Sequence, residues 1–367
     1  MNTFIPSRRL HIAQIAPLWE SVPPKTYGGI ELGIHLLSEE LLSRGHEVTI
    51  FGSGDSRTRA NLQSCCENSL FDEMKMGRAY QYEPYANANL VEALSNSNSF
   101  DIIHCHLGCE KIPFSLISPV PMIHTLHTVL SVDEEWILNK YPEVTVVAMS
   151  HSQIANIPAE RRRTIPIINN GCNFDSYDLK LDQGNYLAFL GRMNPMKSPL
   201  DAIRIAKEVN MPLILAGRPQ GDGEQKYFSE NVQPLIDGKS VTYIGSVNHQ
   251  QKAKLLRNAA ALLFPITWPE PFGWVMIEAM ACGTPVVACK NGSVSEVIDF
   301  GVTGFYADSA NELAELVPRA MSLDRQKVRL QAEQRFSHKK MADQFEILYF
   351  SLIDKKPLLQ KINNPSC

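Results

Sequence analysis

Short apolar runs alternate with helical periodicity along the whole chain, and that alternation restricts the fold more than any other feature. Leu10–Ala16 is an apolar run, and the proline-rich loop Pro17–Tyr27 after it closes on Gly28-Gly29. Ile30, Ile34, Leu37 and Leu41 then recur at spacings of four, three and four, one face of a helix. Gly45 follows Arg44 as a C-terminal stop, and Val48–Phe51 is the next apolar run. Strand, helix and strand in that order imply a crossover connection and a parallel sheet. The pattern continues through Phe100–His104, Met122–Leu126, Thr145–Met149 and Ile165–Ile168, the last ahead of a turn and hinge at Asn169-Asn170-Gly171. Between Thr58 and Asn98 only a helix near Asn87–Leu94 is predicted.

A second series starts at the strand Tyr186–Leu190, which ends at Gly191-Arg192. Ser198-Pro199 opens a helix, with Ser198 as cap and Asp201 three residues on. The strands Leu213–Ala216 and Val241–Ile244 run into Gly217 and Gly245. Asn248 with Gln251 reads as a capping box for a helix over Gln250–Ala259. Ala261–Phe264 and Pro285–Ala288 complete the strands. Helical patterns follow at Asn311–Met321, Asp324–Phe336 and Lys340–Ile353, and the tail after Lys355 is expected to be poorly ordered. Two α/β series of similar size therefore meet near Asn170, giving domains over 1–169 and 170–367. Open α/β sheets bind ligands at the carboxyl ends of their strands, so two such domains facing each other would form a cleft there.

Composition narrows the function classes. The 367 residues suit two domains, and 44% hydrophobic with 20% charged residues excludes a disordered chain. A net charge of -4 lacks the basic excess of a nucleic-acid binder. No apolar run approaches the ~18 residues that span a bilayer. The polar start, with Arg8 and Arg9, lacks a secretory signal, and eight cysteines without regular spacing form no disulfide framework. The expectation is a cytoplasmic protein with reduced thiols.

The chemistry concentrates in Trp268–Ala288, W-P-E-P-F-G-W-V-M-I-E-A-M-A-C-G-T-P-V-V-A. Glu278 is the only charged residue between Pro271 and Cys289, and a carboxylate in such a run needs hydrogen-bond partners. It is either a solvated residue on a helix edge or an acceptor of ligand hydroxyls. Glu270, Phe272 and Gly273 precede a helix N-terminus, where free N–H groups and the helix dipole favour phosphate. Arg192 and Lys197 follow a strand and begin the next helix, so both stand at a sheet's carboxyl edge and could clamp a diphosphate. Gly28-Gly29 fits close approach to a phosphate or a plain turn. Period-2 alternation puts Thr125 and His127 on one face, with His127 either structural or a hydrogen-bond donor to ligand. His104, Cys105, His106 and Cys109 lack the second ligand pair of a zinc site, and no Asp-x-Asp is present. Arg161-Arg162-Arg163 and Lys339-Lys340 read as solvated faces or as contacts for an anionic acceptor or a lipid surface.

These residues resemble the retaining glycosyltransferases of family 4, which have the GT-B fold. The resemblance is strongest in the Glu270-x7-Glu278 segment. It extends over most of the chain through Ile12–Pro17, Tyr27–Gly29, Arg44–Thr49, Asp101–His104, His124–Thr128, Gly191-Arg192, Leu215–Gly217 and Gly301–Phe305. It implies two Rossmann-like domains facing across a cleft, with the C-terminal helix crossing back to the N-terminal one. The first domain would meet the acceptor, through Asn61–Asn98, and the second the donor. The donor would be a nucleoside-diphosphate hexose, UDP-, GDP- or ADP-linked. Arg192 and Lys197 would hold the diphosphate, Glu278 the ribose and Glu270 the sugar. Backbone groups of Phe272, Gly273, Trp274 and Val275 would surround sugar and phosphate. Gly28, Gly29 and Gly217 would lie against the donor, its base near Arg218 and Gly245–Val247, and His127 would face the sugar. No cofactor and no divalent metal is implied. The acceptor is an unspecified hydroxyl, and a lipid-linked one would bring peripheral membrane contact. The chain departs from the family at Met196-Lys197-Ser198, at Asn170-Gly171-Cys172-Asn173 and at Thr128. A GT-B sugar-nucleotide epimerase, a glycosyl phosphorylase and a catalytically silent sugar-nucleotide-binding subunit remain the alternatives.

Overall fold

A computed structural model describes residues 8–26 and 28–354. Tyr27 and the tail after Lys355 lie outside the described residues. The chain forms two compact units. Of the described residues, the first takes those up to 149, 154–171 and 338–354; the second takes 150–153 and 172–337. In chain order the first unit contains β1 (His11–Ile15), α1 (Gly29–Ser43), β2 (Glu47–Phe51), β3 (Asn61–Gln63), α2 (Leu70–Lys75), α3 (Glu83–Ser95), β4 (Ile102–Cys105), β5 (Met122–Thr125), α4 (Val132–Lys140), β6 (Thr145–Val147) and α5 (Ala159–Arg162). The second contains β7 (Leu187–Leu190), α6 (Pro199–Glu208), β8 (Leu213–Ala216), α7 (Gly221–Tyr227), β9 (Val241–Tyr243), α8 (His249–Asn258), β10 (Ala261–Phe264), α9 (Trp274–Ala281), β11 (Val286–Cys289), α10 (Val294–Val297), β12 (Gly304–Ala307), α11 (Leu313–Met321) and α12 (Arg325–Phe336). The last helix, α13 (His338–Ile353), belongs to the first unit.

Each unit is built on a six-stranded sheet, ordered β3-β2-β1-β4-β5-β6 in the first and β12-β11-β10-β7-β8-β9 in the second. Every strand pair is parallel. Counted from its own first strand, each sheet has the doubly wound order 3-2-1-4-5-6. The winding reverses between β1 and β4 and between β7 and β10, and ligands of such sheets bind beyond the carboxyl ends at that reversal. The residues leaving β1, β4, β7 and β10 therefore stand where such a ligand binds.

Helix packing follows the periodicity. Ile34, Leu37 and Leu41 of α1 share one core with Ile12, Val48 and Ile102 of the sheet and with Met341, Phe345 and Tyr349 of α13. Each such side chain contributes about 1.5–3 kcal/mol on burial. Glu346 of α13, almost fully buried, accepts from Arg44 at 2.9 Å and pairs with His46 at 2.7 Å, which fixes the final helix to the first unit by charge as well as packing. In the second unit Leu187, Phe189, Ile203, Leu215, Leu263 and Val317 centre a comparable core.

Five local expectations need correction. The strands do not end with β11, because β12 pairs beside it, and residues 58–98 hold β3 and α2 as well as the expected helix, α3. Ile165–Ile168 makes only an isolated bridge, Ala148 to Ile167, because Pro166 has no N–H to give to a ladder. Ser198 stands at the start of α6 in the left-handed region (φ 54°), and its hydroxyl bonds the Asp201 carboxylate at 2.7 Å instead of capping a backbone N–H. Arg161 and Arg162 are not simply solvated: they donate to the carbonyls of Val144 and Ala155, each at 3.0 Å. The capping box on α8 is present in both directions, at 2.9 and 3.0 Å. Among the described residues all cysteines are free, and no helix is long and apolar enough to cross a membrane.

Candidate functional site

In the second unit, two loops leave the sheet at its reversal point. Residues 191–198 follow β7 and residues 265–273 follow β10. They are tied together where Thr267 donates its N–H to the Met196 carbonyl at 2.9 Å. Lys197, at the end of the first loop, donates its ammonium to Glu270 of the second. The same carboxylate oxygen accepts the Trp268 indole N–H at 2.8 Å. The ammonium also lies over the Trp268 ring, 4.8 Å from its centroid, and 5.7 Å from that of Phe264. The Lys197 and Glu270 side chains keep only 14% and 12% of their exposure, so the charges meet in a largely desolvated place.

Arg192 is held in the same unit by a partner that the sequence did not suggest. Its guanidinium forks onto Glu224 of α7, and Glu224 also accepts the Asn194 amide at 2.9 Å and the Gln220 N–H at 2.7 Å. Asn194 in turn accepts the Lys197 N–H at 2.9 Å, so one buried amide ties the Arg192–Glu224 pair to the start of α6.

Gly273 opens α9 at φ 82° and offers no side chain to cap it, and the first turn carries no acid. The leading N–H groups of a helix have no intrahelical acceptor. Trp274 and Val275 thus present donors and the positive dipole end beside the Lys197–Glu270 pair, a natural anion site. The loop before it is braced at each carbonyl. Ser150 donates to Pro271 at 2.7 Å, Ser293 donates its hydroxyl to Phe272 at 2.8 Å and its N–H to Glu270 at 2.9 Å. Phe272 is a buried anchor.

Glu278 lies one turn further along α9 and is buried, with 3% exposure, so the edge-of-helix reading is excluded. Its Oε1 accepts the Tyr177 hydroxyl at 3.0 Å and the Lys252 ammonium from α8. Burial and the facing carboxylate push the Tyr177 phenol well up, so it stays a donor. Gly217 has a local reason for being glycine: a Cβ there would meet the Gly191 carbonyl oxygen at 1.8 Å, where the ends of β7 and β8 close on each other.

Gly28, Gly29 and His127 belong to the first unit. Gly28 precedes α1, and a Cβ there would come within 2.8 Å of both Glu31 and Pro24. Glu31, in the first turn of α1, is buried and was not singled out from the sequence. Loss of water pushes its carboxyl up to about 7. Folded protein therefore binds more protons than unfolded chain from the usual carboxylate range up to pH 7. Stability contributed here falls as pH rises through that window, by up to about 3 kcal/mol. Glu31→Gln is expected to raise the melting temperature at pH 8 and leave it nearly unchanged at pH 4.5. An equal effect at both would refute the buried, protonated carboxyl.

His127 leaves the end of β5 and bonds His106 at 3.0 Å. Thr125, on the same face as expected, bonds His104 at 2.7 Å. His104 and His106 face hydrogen-bond partners, and among the described residues no three His, Cys, Asp or Glu gather as a metal ion requires.

Family comparison agrees with this geometry. The model for Glycosyltransferase Family 4 matches residues 27–173, and the model for Glycosyl transferases group 1 matches residues 175–337. The D-inositol 3-phosphate glycosyltransferase of Mycobacterium leprae is 28% identical over 358 residues, covering 81% of this chain and 83% of that protein. Sucrose-phosphate synthase from Thermosynechococcus elongatus superposes with a TM-score of 0.74 at 21% identity, covering 94% of this chain and all (100%) of that one. Anabaena HepE, solved in complex with UDP and glucose, superposes with a TM-score of 0.72 at 20% identity, with coverage of 94% and 100%. Two doubly wound units, each matched by its own model, make the chain a family 4-like glycosyltransferase of GT-B fold.

Proposed function

We propose that the chain is a retaining hexosyltransferase that moves a sugar from a nucleoside-diphosphate donor to a hydroxyl acceptor. The observation that carries this is the Lys197–Glu270 pair beside the uncapped start of α9, at the reversal point of the second sheet. As the anomeric C–O bond lengthens, negative charge grows on the leaving diphosphate. Lys197, Arg192 and the N–H groups of Trp274 and Val275 are fixed donors for that charge, and fixed donors in a water-poor site are worth far more than solvent. Glu270 and Glu224 pair with the two cations; a diphosphate takes over that role and frees Glu270 to accept hydroxyls of the donor sugar. Glu278, with Tyr177 and Lys252 both on Oε1, offers Oε2 to the ribose hydroxyls. His127 and Gly28-Gly29 are assigned to the donor as well, and the acceptor oxygen attacks on the face that the leaving group departs from, retaining configuration. The positive charge this mechanism needs is supplied by the protein, so transfer is expected to persist in chelator.

The relatives suggest where to begin. HepE binds UDP and glucose, and the mycobacterial relative is named for a phosphorylated inositol, so uridine donors and phosphorylated polyols are tested first. UDP, GDP and ADP at saturating concentration should separate by thermal shift. A ligand at 100 times its Kd stabilises by about 2.7 kcal/mol. One nucleoside diphosphate is expected to raise the melting temperature clearly above the others, and the matching sugar donor to be consumed with a product that keeps the donor's anomeric configuration. Consumption that requires free phosphate would indicate a phosphorylase, donor conversion without acceptor an epimerase. Binding with no turnover on any acceptor would indicate a silent subunit.

A further inference from the structure

Gln14, Tyr349, His104, Thr125, His106 and His127 of the first unit form one continuous hydrogen-bonded file. Gln14 of β1 stands in its middle, fully buried. Its amide nitrogen donates to the Tyr349 hydroxyl of α13 at 3.3 Å. Tyr349 meets His104 Nδ1 at 2.7 Å, and His104 Nε2 meets Thr125 at 2.7 Å. On the other side Gln14 Oε1 meets His106 Nε2 at 2.8 Å, and His106 Nδ1 meets His127 Nε2 at 3.0 Å. Nothing in the glycosyltransferase reading requires such a file, and Gln14 and Tyr349 touch no residue assigned to the donor.

A neutral imidazole has one donor nitrogen and one acceptor nitrogen. Burial keeps these rings neutral: it pushes His104 and His106 well down and His127, which retains part of its exposure, to about 3. With the Gln14 amide nitrogen turned to Tyr349, Oε1 is the acceptor facing His106, which then carries its proton on Nε2. His106 Nδ1 is then an acceptor, and His127 Nε2 must be its donor. His127 is left with a bare Nδ1 lone pair. Turning the Gln14 amide over would reverse each bond and make that Nδ1 a donor.

We propose that Gln14, braced by Tyr349, is a positioning residue that fixes His127 in its Nε2–H tautomer, so that Nδ1 accepts a hydrogen bond from a substrate hydroxyl. The proposal rests on the function above only for the identity of that hydroxyl. It assigns the final helix a part in the chemistry through Tyr349, and it makes His127 a hydrogen-bond acceptor, not the donor that its position on the strand first suggested.

The test is long-range 1H–15N spectroscopy of the full chain labelled at histidine, with His127→Gln to assign the signal. The wild-type ring is expected to carry its proton on Nε2 at pH 7. Gln14→Leu removes the acceptor that orients His106, so His127 should spread over both tautomers. In a transfer assay kcat should fall about tenfold with donor KM within about twofold, the signature of a contact made in the transition state. Gln14→Glu still presents an oxygen to His106 and should restore the single tautomer. If Gln14→Leu does not fold, Tyr349→Phe loosens the amide without emptying its place and should also mix the tautomers. A wild-type proton on Nδ1, or a tautomer unmoved by any of these changes, overturns the proposal. Absence of transfer with every donor would instead refute the proposed function, and the spectra would still decide this point.

Discussion

Replacing Lys197 with alanine is expected to lower turnover about a thousandfold, a loss of about 4 kcal/mol in transition-state stabilisation, while the protein stays folded. The two parts of that expectation have separate causes. Lys197 stands where diphosphate charge would grow, in a place with 14% exposure and two aromatic walls, so water cannot replace the ammonium. The fold depends on it less. Glu270 keeps the Trp268 indole N–H as a partner, and the loop carrying it is held through its own backbone by Ser293 and Ser150. Lys197→Arg keeps the charge but must place a planar fork between Trp268 and Glu270; an intermediate rate is expected, since a guanidinium does not imitate a point charge. Nucleoside diphosphate release followed with donor and acceptor saturating, beside a melting curve, measures both. Turnover near that of the wild type in Lys197→Ala would remove the proposed clamp.

What could be read from the sequence follows from how local each signal is. The parallel sheets were legible because most core strands are short apolar runs with a helix close behind, and the capping box Asn248–Gln251 is a contact within one turn; β3 was not, being the polar Asn61–Gln63 that follows β2 with no helix between. Glu278 stood out because a single charge in an apolar helix must be satisfied somewhere. Its partners did not stand out. Lys252 is 26 positions away and Tyr177 is 101, and neither looks unusual until α8 and α9 pack together. Glu224 is hidden for the same reason: it lies among the polar residues of a short helix and becomes a ligand of Arg192 only across 32 positions. The Gln14–His106–His127 file depends on strand register, which pairs Gln14 with His104 and is invisible before the sheet is assembled. The overcalled strand at Ile165–Ile168 shows the reverse error, since hydrophobicity was read there and the missing proline N–H was not. The capping box Ser131–Glu134 on α4 carries the same local signature, Ser-x-x-Glu, within one turn.

The second large effect separates what Glu278 does for the fold from what it does for the ligand. Glu278 and Lys252 keep 4% and 15% of their side-chain exposure, so either one alone is a charge without its partner in a dry place. Lys252→Met and Glu278→Gln are each expected to destabilise by about 3–5 kcal/mol, because the charge left behind is uncompensated. The pair changed together carries no such charge, and the Tyr177 hydroxyl still finds an oxygen on the new amide. The double variant is therefore expected to recover to within about 1 kcal/mol of wild-type stability, giving a large coupling energy in the cycle. Nucleotide affinity should behave differently. A carboxylate that binds ribose hydroxyls contributes about 1.5–3 kcal/mol, and the amide does not replace it, so the stable double variant should still bind its nucleoside diphosphate ten- to a hundredfold more weakly. Denaturant melts give the first quantity and calorimetric titration the second. A double variant that binds like the wild type would make Glu278 a structural ion-pair partner and nothing more; one that stays unstable would mean that the two charges do not answer each other.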